Sequence, residues 1–274
     1  MATFDAKLYS SRFIQNLDRR TVAREITNQN YTVRGARTVE VFAANDLVAQ
    51  DANADHSVKI QNPGGSQKTM TMDQDKDLSV LIPSIEEFQS SVDMQGKFRE
   101  RQVQAAEEDL DDYILGFYTD APSANSLDTT ATTASGFGDV IRDAKVAMSE
   151  QNVPRSDRFM VVSPTYADLV AEDAGDRIER NTEIETEGYI GRYQGFDIFE
   201  STGLKESGSS PTKQHQLFGH RAAITLAVQA NNMNLVPDSE QAQYHGDILK
   251  ALMVYGGQTF LPEALGVINA DKPA

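Results

Sequence analysis

The sequence predicts an α+β chain, and three observations carry that prediction. One long segment, 96–118, repeats its apolar residues with a helical period. Several shorter segments alternate with a period of two. The two kinds follow each other without the regular strand-helix-strand rhythm of a parallel sheet. At 274 residues the chain suffices for one large or two small domains. Hydrophobic residues make up 39% and the mean hydropathy is -0.46, a soluble globular balance.

Residues 1–37 are polar, with scattered anchors at Phe13, Ile14, Leu17, Val22 and Ile26 and no clean period. They predict an extended or partly helical arm that rests on something else, since so few apolar groups cannot offset the entropy of ordering it. Residues 38–82 predict a long two-stranded hairpin. Val39 and Val41 share one strand face and Glu40 takes the other. A stretch rich in Asp, Asn and Ala leads to Pro63-Gly64-Gly65-Ser66, a strong turn signal that lets the tip bend. Alternation then resumes through Met70, Met72, Leu78, Val80 and Ile82. A hairpin of this size is marginal alone in water. Its apolar face has no partner within the loop, so it is expected to pack on a neighbouring molecule.

In the 96–118 segment, Phe98, Val103, Ala106, Leu110, Tyr113, Ile114 and Phe117 form one apolar stripe. Glu100, Arg101, Gln104, Glu107, Glu108, Asp111 and Asp112 fill the other side. At about 1.5 Å per residue this helix spans roughly 30 Å or more. Ala121-Pro122-Ser123 ends it. Residues 123–136 are low in complexity and predict a flexible loop. A helix near Asp139–Glu150 and a strand at Phe159–Val162 follow. A second helix opens at Ser163-Pro164, with Ser163 as N-cap and Pro164 at the first helical position. Residues 173–187 read as a polar loop and 191–201 as a glycine-marked hairpin. Two strands close the chain, at 220–229 and 251–262, before a last apolar stretch at 264–270.

Composition excludes several classes. There is no cysteine, so disulfides, thiolate zinc sites and cysteine nucleophiles are out. No window approaches the 18 apolar residues of a membrane span, and the first residues lack the apolar core of a signal peptide. Asp and Glu number 41 against 25 Lys and Arg, a net charge of -16, the reverse of what neutralising phosphates requires. The charge is uneven. Residues 1–37 hold seven basic residues against three acidic ones, so this arm is +4 and the remainder -20. Such an arm either meets an acidic surface, a copy of the same chain included, or is simply a solvated tail. The acid excess also suits a halophilic or marine setting, where salt screens long-range repulsion.

Catalytic patterns are incomplete. His56, His215, His220 and His245 are scattered, without metal-ligand spacing. Asp51, Asn53 and Asp55 begin like a calcium loop, but His56 replaces the required glycine and Asn62 the bidentate glutamate. Asp73, Asp75 and Asp77 fail likewise, leaving open a weak cation site between subunits. Ser163 lacks the glycines of a nucleophile elbow. Gly188, Gly191 and Gly195 do not have dinucleotide-binding spacing. Glu86 and Glu87 are adjacent, so on a strand they face opposite sides. No catalytic residue, cofactor or metal is expected.

Five strings, in order, carry a resemblance: LSVLIPSIEEFQSSVD, DDYILGFY, VPRSDRFMVVSPTYADLV, GYIGRYQGFDIFESTGL and YHGDILKALMVYGGQTFLPEAL. Together they resemble the major capsid proteins of tailed phages, which have the Hong Kong 97 fold. The resemblance implies an N-terminal arm at 1–37 and an extended loop at 38–82 lying over an adjacent subunit. It implies a peripheral domain from 83–125 and 236–274, with 96–118 as its spine helix, and an axial domain at 126–235 that meets its copies at the five- and six-fold centres. The implied function is a non-enzymatic shell subunit, forming pentamers and hexamers around double-stranded DNA held without sequence-specific binding. A separate scaffolding protein, or a propiece already removed, and a portal protein are implied partners, with no membrane. The implied location is the virion, assembled in the host cytoplasm. Intersubunit contact is expected at Arg12, Phe13, Arg19, Arg20, Arg24, Met70, Met72, Leu78, Val80 and Ile82. The alternatives are the shell of an encapsulin-type cellular nanocompartment and, less favoured by the arm and hairpin, an enzyme of unknown type.

Overall fold

The structure is a computed structural model that describes residues 21–29, 37–44, 65–83, 94–130, 133–174, 189–208, 212–230, 234–237 and 245–272. Its largest element is a seven-stranded mixed sheet. The strands are β5 (Ser126–Thr129), β6 (Arg158–Val162), β7 (Tyr189–Tyr193), β8 (Phe196–Glu200), β9 (Glu206–Ser207), β10 (Lys213–His220) and β15 (Leu265–Asp271). Their order is β5-β15-β10-β6-β8-β7, with β9 on β10. The predicted glycine hairpin is β7–β8. Its two-residue turn puts both Gln194 (φ 51°) and Gly195 (φ 94°) in the left-handed region, the requirement of a turn matching strand twist.

Two helices cover this sheet, α3 (Ala134–Glu150) and α4 (Pro164–Ala174). The first buries Phe137, Ile141, Ala144 and Met148, spaced at three and four residues, which is one helical face. Tyr166 of α4 lies against Phe137 with ring centroids 4.7 Å apart. Arg158, buried at the start of β6, donates to the carbonyls of Pro154 (2.8 Å) and Val153 (2.6 Å). Burial lowers its pKa. Ser163 precedes α4 as expected, and its carbonyl accepts the Ala167 N–H at 2.8 Å. Its buried hydroxyl has no hydrogen-bond partner among the described residues, so the expected side-chain cap is not made.

Two smaller sheets flank the long helix α2 (Met94–Leu115). One is β11 (Ile224–Ala230), β14 (Leu252–Thr259) and β3 (Gln74–Asp77), in the order β11-β14-β3. The other is β12 (Asn234–Val236), β13 (Gly246–Lys250) and β4 (Val80–Pro83), in the order β12-β13-β4. A separate ribbon pairs β1 (Thr38–Ala44) antiparallel with β2 (Gly65–Thr71). A short helix α1 (Ala23–Ile26) belongs to the chain ahead of β1.

Three expectations need correction. The hairpin expected over 38–82 ends at Thr71; residues 74–77 and 80–83 pair with β14 and β13 instead. Alternation announced strands but could not name their partners. The low-complexity loop at 123–136 contains β5, which pairs in parallel with β15. Buried Asn125 holds it there, donating to the carbonyls of Glu263 (2.8 Å) and Leu265 (2.9 Å). The boundary at 236 fails for the last strand. Leu265–Asp271 lies inside the large sheet, with β10 on one side and β5 on the other. The arm, expected to rest on something else, rests in part on its own subunit: Val22, Ala23 and Ile26 are buried in the main core with Leu110, Ile114 and Leu226.

Candidate functional site

The residues expected to clasp neighbouring copies are the candidate site, and the structure divides them. Arg12, Phe13, Arg19 and Arg20 lie outside the described residues. Arg24 is described and meets its own chain: its Nε is 3.1 Å from Glu107 Oε1, with about half its side chain exposed. Thr21 donates to the other oxygen of Glu107 at 3.2 Å.

The seat of this segment is a carboxylate that sequence reading put in solvent. Asp111 of α2 is fully buried and accepts the backbone N–H groups of Val22 and Ala23, each at 2.8 Å. These donors have no helical partner at the start of α1, so the carboxylate satisfies what would otherwise be orphaned buried groups. Ser201 Oγ donates to its second oxygen at 3.4 Å. The signal was present in the spacing: Asp111 precedes the buried Ile114 and Leu115 by three and four residues, so it shares their face. Gln102 was missed for the same reason. It stands four residues before Ala106 and eight before Leu110, while Val103, assigned to the stripe, is 47% exposed. The Gln102 amide donates to the carbonyls of Leu78 (2.6 Å) and Leu249 (3.1 Å), tying α2 to the sheet edge.

Met70, Met72 and Ile82 correct the expectation of a face without a partner in its own subunit. Their exposures are 0%, 1% and 0% within this single chain. Met70 and Met72 pack with Ala227, Val254 and Phe260, on and beside the β11–β14 sheet. Leu78 and Val80 are half-buried. The polar stretch between the two apolar runs hid this, because the strands it separates pair with segments about 170 residues away. What the β12-β13-β4 sheet leaves outward is different. Directly paired residues share a face. Leu81, Ile248 and Val236 therefore make one cross-strand apolar row, with Leu81 39% exposed.

Several of the remaining polar residues are structurally engaged. Asp75 pairs with Arg37 at 3.0 Å, and Asp77 accepts from the Ser79 hydroxyl and amide, which lower its pKa. Asp109 accepts from Tyr255 at 2.5 Å and pairs with Lys76 at 3.1 Å. Burial raises the Tyr255 pKa, and the hydrogen bond to Asp109 adds to it. His215 is stacked on Tyr118 and bonded at both ring nitrogens, to Asn269 and Ser207, each at 2.7 Å. His220 Nδ1 accepts the Ala222 N–H at 3.1 Å, and burial lowers its pKa. His56, Asp51, Asn53, Asp55, Asn62, Glu86, Glu87 and Gly188 lie outside the described residues. Among the described residues no cluster of His, Cys, Asp or Glu is arranged to hold a metal ion.

A long helix flanked by small sheets, a separate two-stranded ribbon and a larger helix-covered sheet make up the described architecture. No protein-family model matches the sequence. No curated protein matches it either. Solved structures do. A chain from Mycobacterium phage Che8 superposes with a TM-score of 0.73 at 20% identity, covering 98% of each chain. The capsid of cyanophage P-SCSP1u gives 0.76 at 13% identity, covering 98% of this chain and 94% of that one. The capsid of Ralstonia phage GP4 gives 0.74 at 14%, covering 98% and 95%. The chain has the fold of tailed-phage capsid proteins, the Hong Kong 97 fold.

Proposed function

We propose that this chain is the major capsid protein of a tailed phage, a shell subunit and not an enzyme. The observation that supports this most is end-to-end similarity: 98% of the chain aligns with 94% and 95% of chains from two phage capsids, and with 98% of a chain from Mycobacterium phage Che8. In this reading the subunits assemble as pentamers and hexamers around double-stranded DNA. A scaffolding protein and a portal take part, and assembly occurs in the host cytoplasm. The ribbon β1–β2 is the extended loop and α2 the spine helix. The axial domain is residues 126–235 together with β15. Residues 1–20 are the part of the arm that reaches a neighbour, with Arg12, Phe13, Arg19 and Arg20 as contacts. The net charge of -16 fits DNA that is enclosed rather than gripped.

The test is expression of the full chain, alone and with a co-expressed tailed-phage scaffolding protein, followed by negative-stain electron microscopy. Closed particles of a single 30.2 kDa chain are expected. A chain that stays monomeric in both conditions refutes the proposal. Native particles filled with a cargo enzyme and free of DNA would identify a nanocompartment instead.

A further inference from the structure

The root of the ribbon is fixed to the body at four points. Lys68, Met70 and Met72 alternate along one strand, so they share a face. Met70 and Met72 are buried against Ala227, Val254 and Phe260. The Lys68 ammonium donates to the Phe260 carbonyl at 2.6 Å. The third point is the ion pair of Arg37 with Asp75 of β3 at 3.0 Å; the Arg37 carbonyl also accepts the Met72 N–H at 2.8 Å, which extends the ribbon's own ladder. The fourth point is backbone on backbone. A Cβ built on Gly256 of β14 would stand 2.5 Å from the Thr71 oxygen and 2.6 Å from the Met72 Cα, closer than any side chain tolerates. Only glycine lets β14 and the ribbon root approach this closely.

We infer that the ribbon is a rigid cantilever whose direction of departure is set by the Gly256 contact, and that this direction selects where the ribbon meets a second copy of the chain. The second clause rests on the capsid proposal; the first does not. Two antiparallel strands without a third partner are flexible on their own. Clamping one face through buried methionines and one end through a backbone contact removes that freedom. The ordering entropy is then spent when the subunit folds, not when subunits meet.

The absence of cysteine makes the test direct. Thr69→Cys on the ribbon and Val146→Cys on α3, both exposed, place two spin labels on the soluble full-length subunit. Pulsed electron resonance should give one narrow distance distribution in this background. Gly256→Ala should shift or widen it severalfold, and its particles should be malformed in electron micrographs. If Gly256→Ala does not fold by circular dichroism, Lys68→Met, which removes only the bond to Phe260, should still widen the distribution. A broad distribution in the labelled parent overturns the cantilever. Unchanged distributions in both variants overturn the roles of Gly256 and Lys68. A displaced ribbon with normal particles overturns the claim that its direction selects the contact. Failure of the parent chain to form any particle counts against the capsid reading and leaves the distance result standing.

Discussion

Replacing Met72 by aspartate separates burial within the subunit from burial against a neighbour. Met72 is 1% exposed in the single chain, packed with Met70, Ala227, Val254 and Phe260. Removing its side chain from that cluster forfeits about 1.5–3 kcal/mol of burial. The carboxylate adds the cost of desolvating a charge in an apolar setting, or of protonating it, so the total should reach about 4 kcal/mol. For a chain of this size each kcal/mol lowers Tm by about 2–4 °C, which predicts a fall of roughly 8–16 °C. Scanning calorimetry on the soluble subunit reads this directly. Met72→Leu, which nearly conserves volume, should cost under about 1.5 kcal/mol. Leu81→Asp, on the outward row of the β12-β13-β4 sheet, should cost under about 1 kcal/mol. If Met72→Asp leaves Tm within a degree or two while abolishing assembly, the side chain is buried by a neighbouring copy and the intrachain packing argued above is wrong.

Truncation should distinguish two parts of the arm. Removing residues 1–20 should leave the subunit's Tm nearly unchanged and disturb assembly, whereas removing 1–29 strips Val22 and Ile26 from the core and takes two backbone donors from buried Asp111. The longer deletion should therefore cost at least about 3–5 kcal/mol in urea unfolding; equal stabilities would contradict the seat described here. His220 gives a pH dependence. Burial depresses its pKa below 6.5, so the unfolded chain binds the extra proton more readily. Its contribution to stability is complete above about pH 6.5 and is lost as pH falls from there toward the folded pKa. His220→Gln should flatten that slope in denaturation curves taken between pH 5 and 7.5, and an unchanged slope would exclude the histidine as its source. Assembly should strengthen with salt, because each subunit carries -16 and screening shortens repulsion to a Debye length of about 8 Å at physiological ionic strength. Light scattering that falls with salt would show instead that ion pairs between subunits dominate.

The sequence alone determined which segments are regular. The period of the 96–118 segment located α2 within a few residues, and the glycine-marked segment 191–201 located the β7–β8 hairpin. These are local properties: a helical face or a left-handed turn follows from residues a few positions apart. The five ordered strings also carry the resemblance to the capsid fold. Tertiary structure decided which surface is used up inside the subunit. Met70, Met72 and Ile82 read as a sticky face because their partners, Val254, Phe260 and β13, lie about 165–190 residues away. Asp111 read as a solvated acid because its ligands are backbone N–H groups, which every sequence position carries alike. Gly256 carries no local signal of its role; only the fold brings the ribbon root to where its Cβ would stand. Alternation records that a side chain has a buried side, but the partner that buries it is chosen by long-range pairing, where chain connectivity and not local pattern sets the answer.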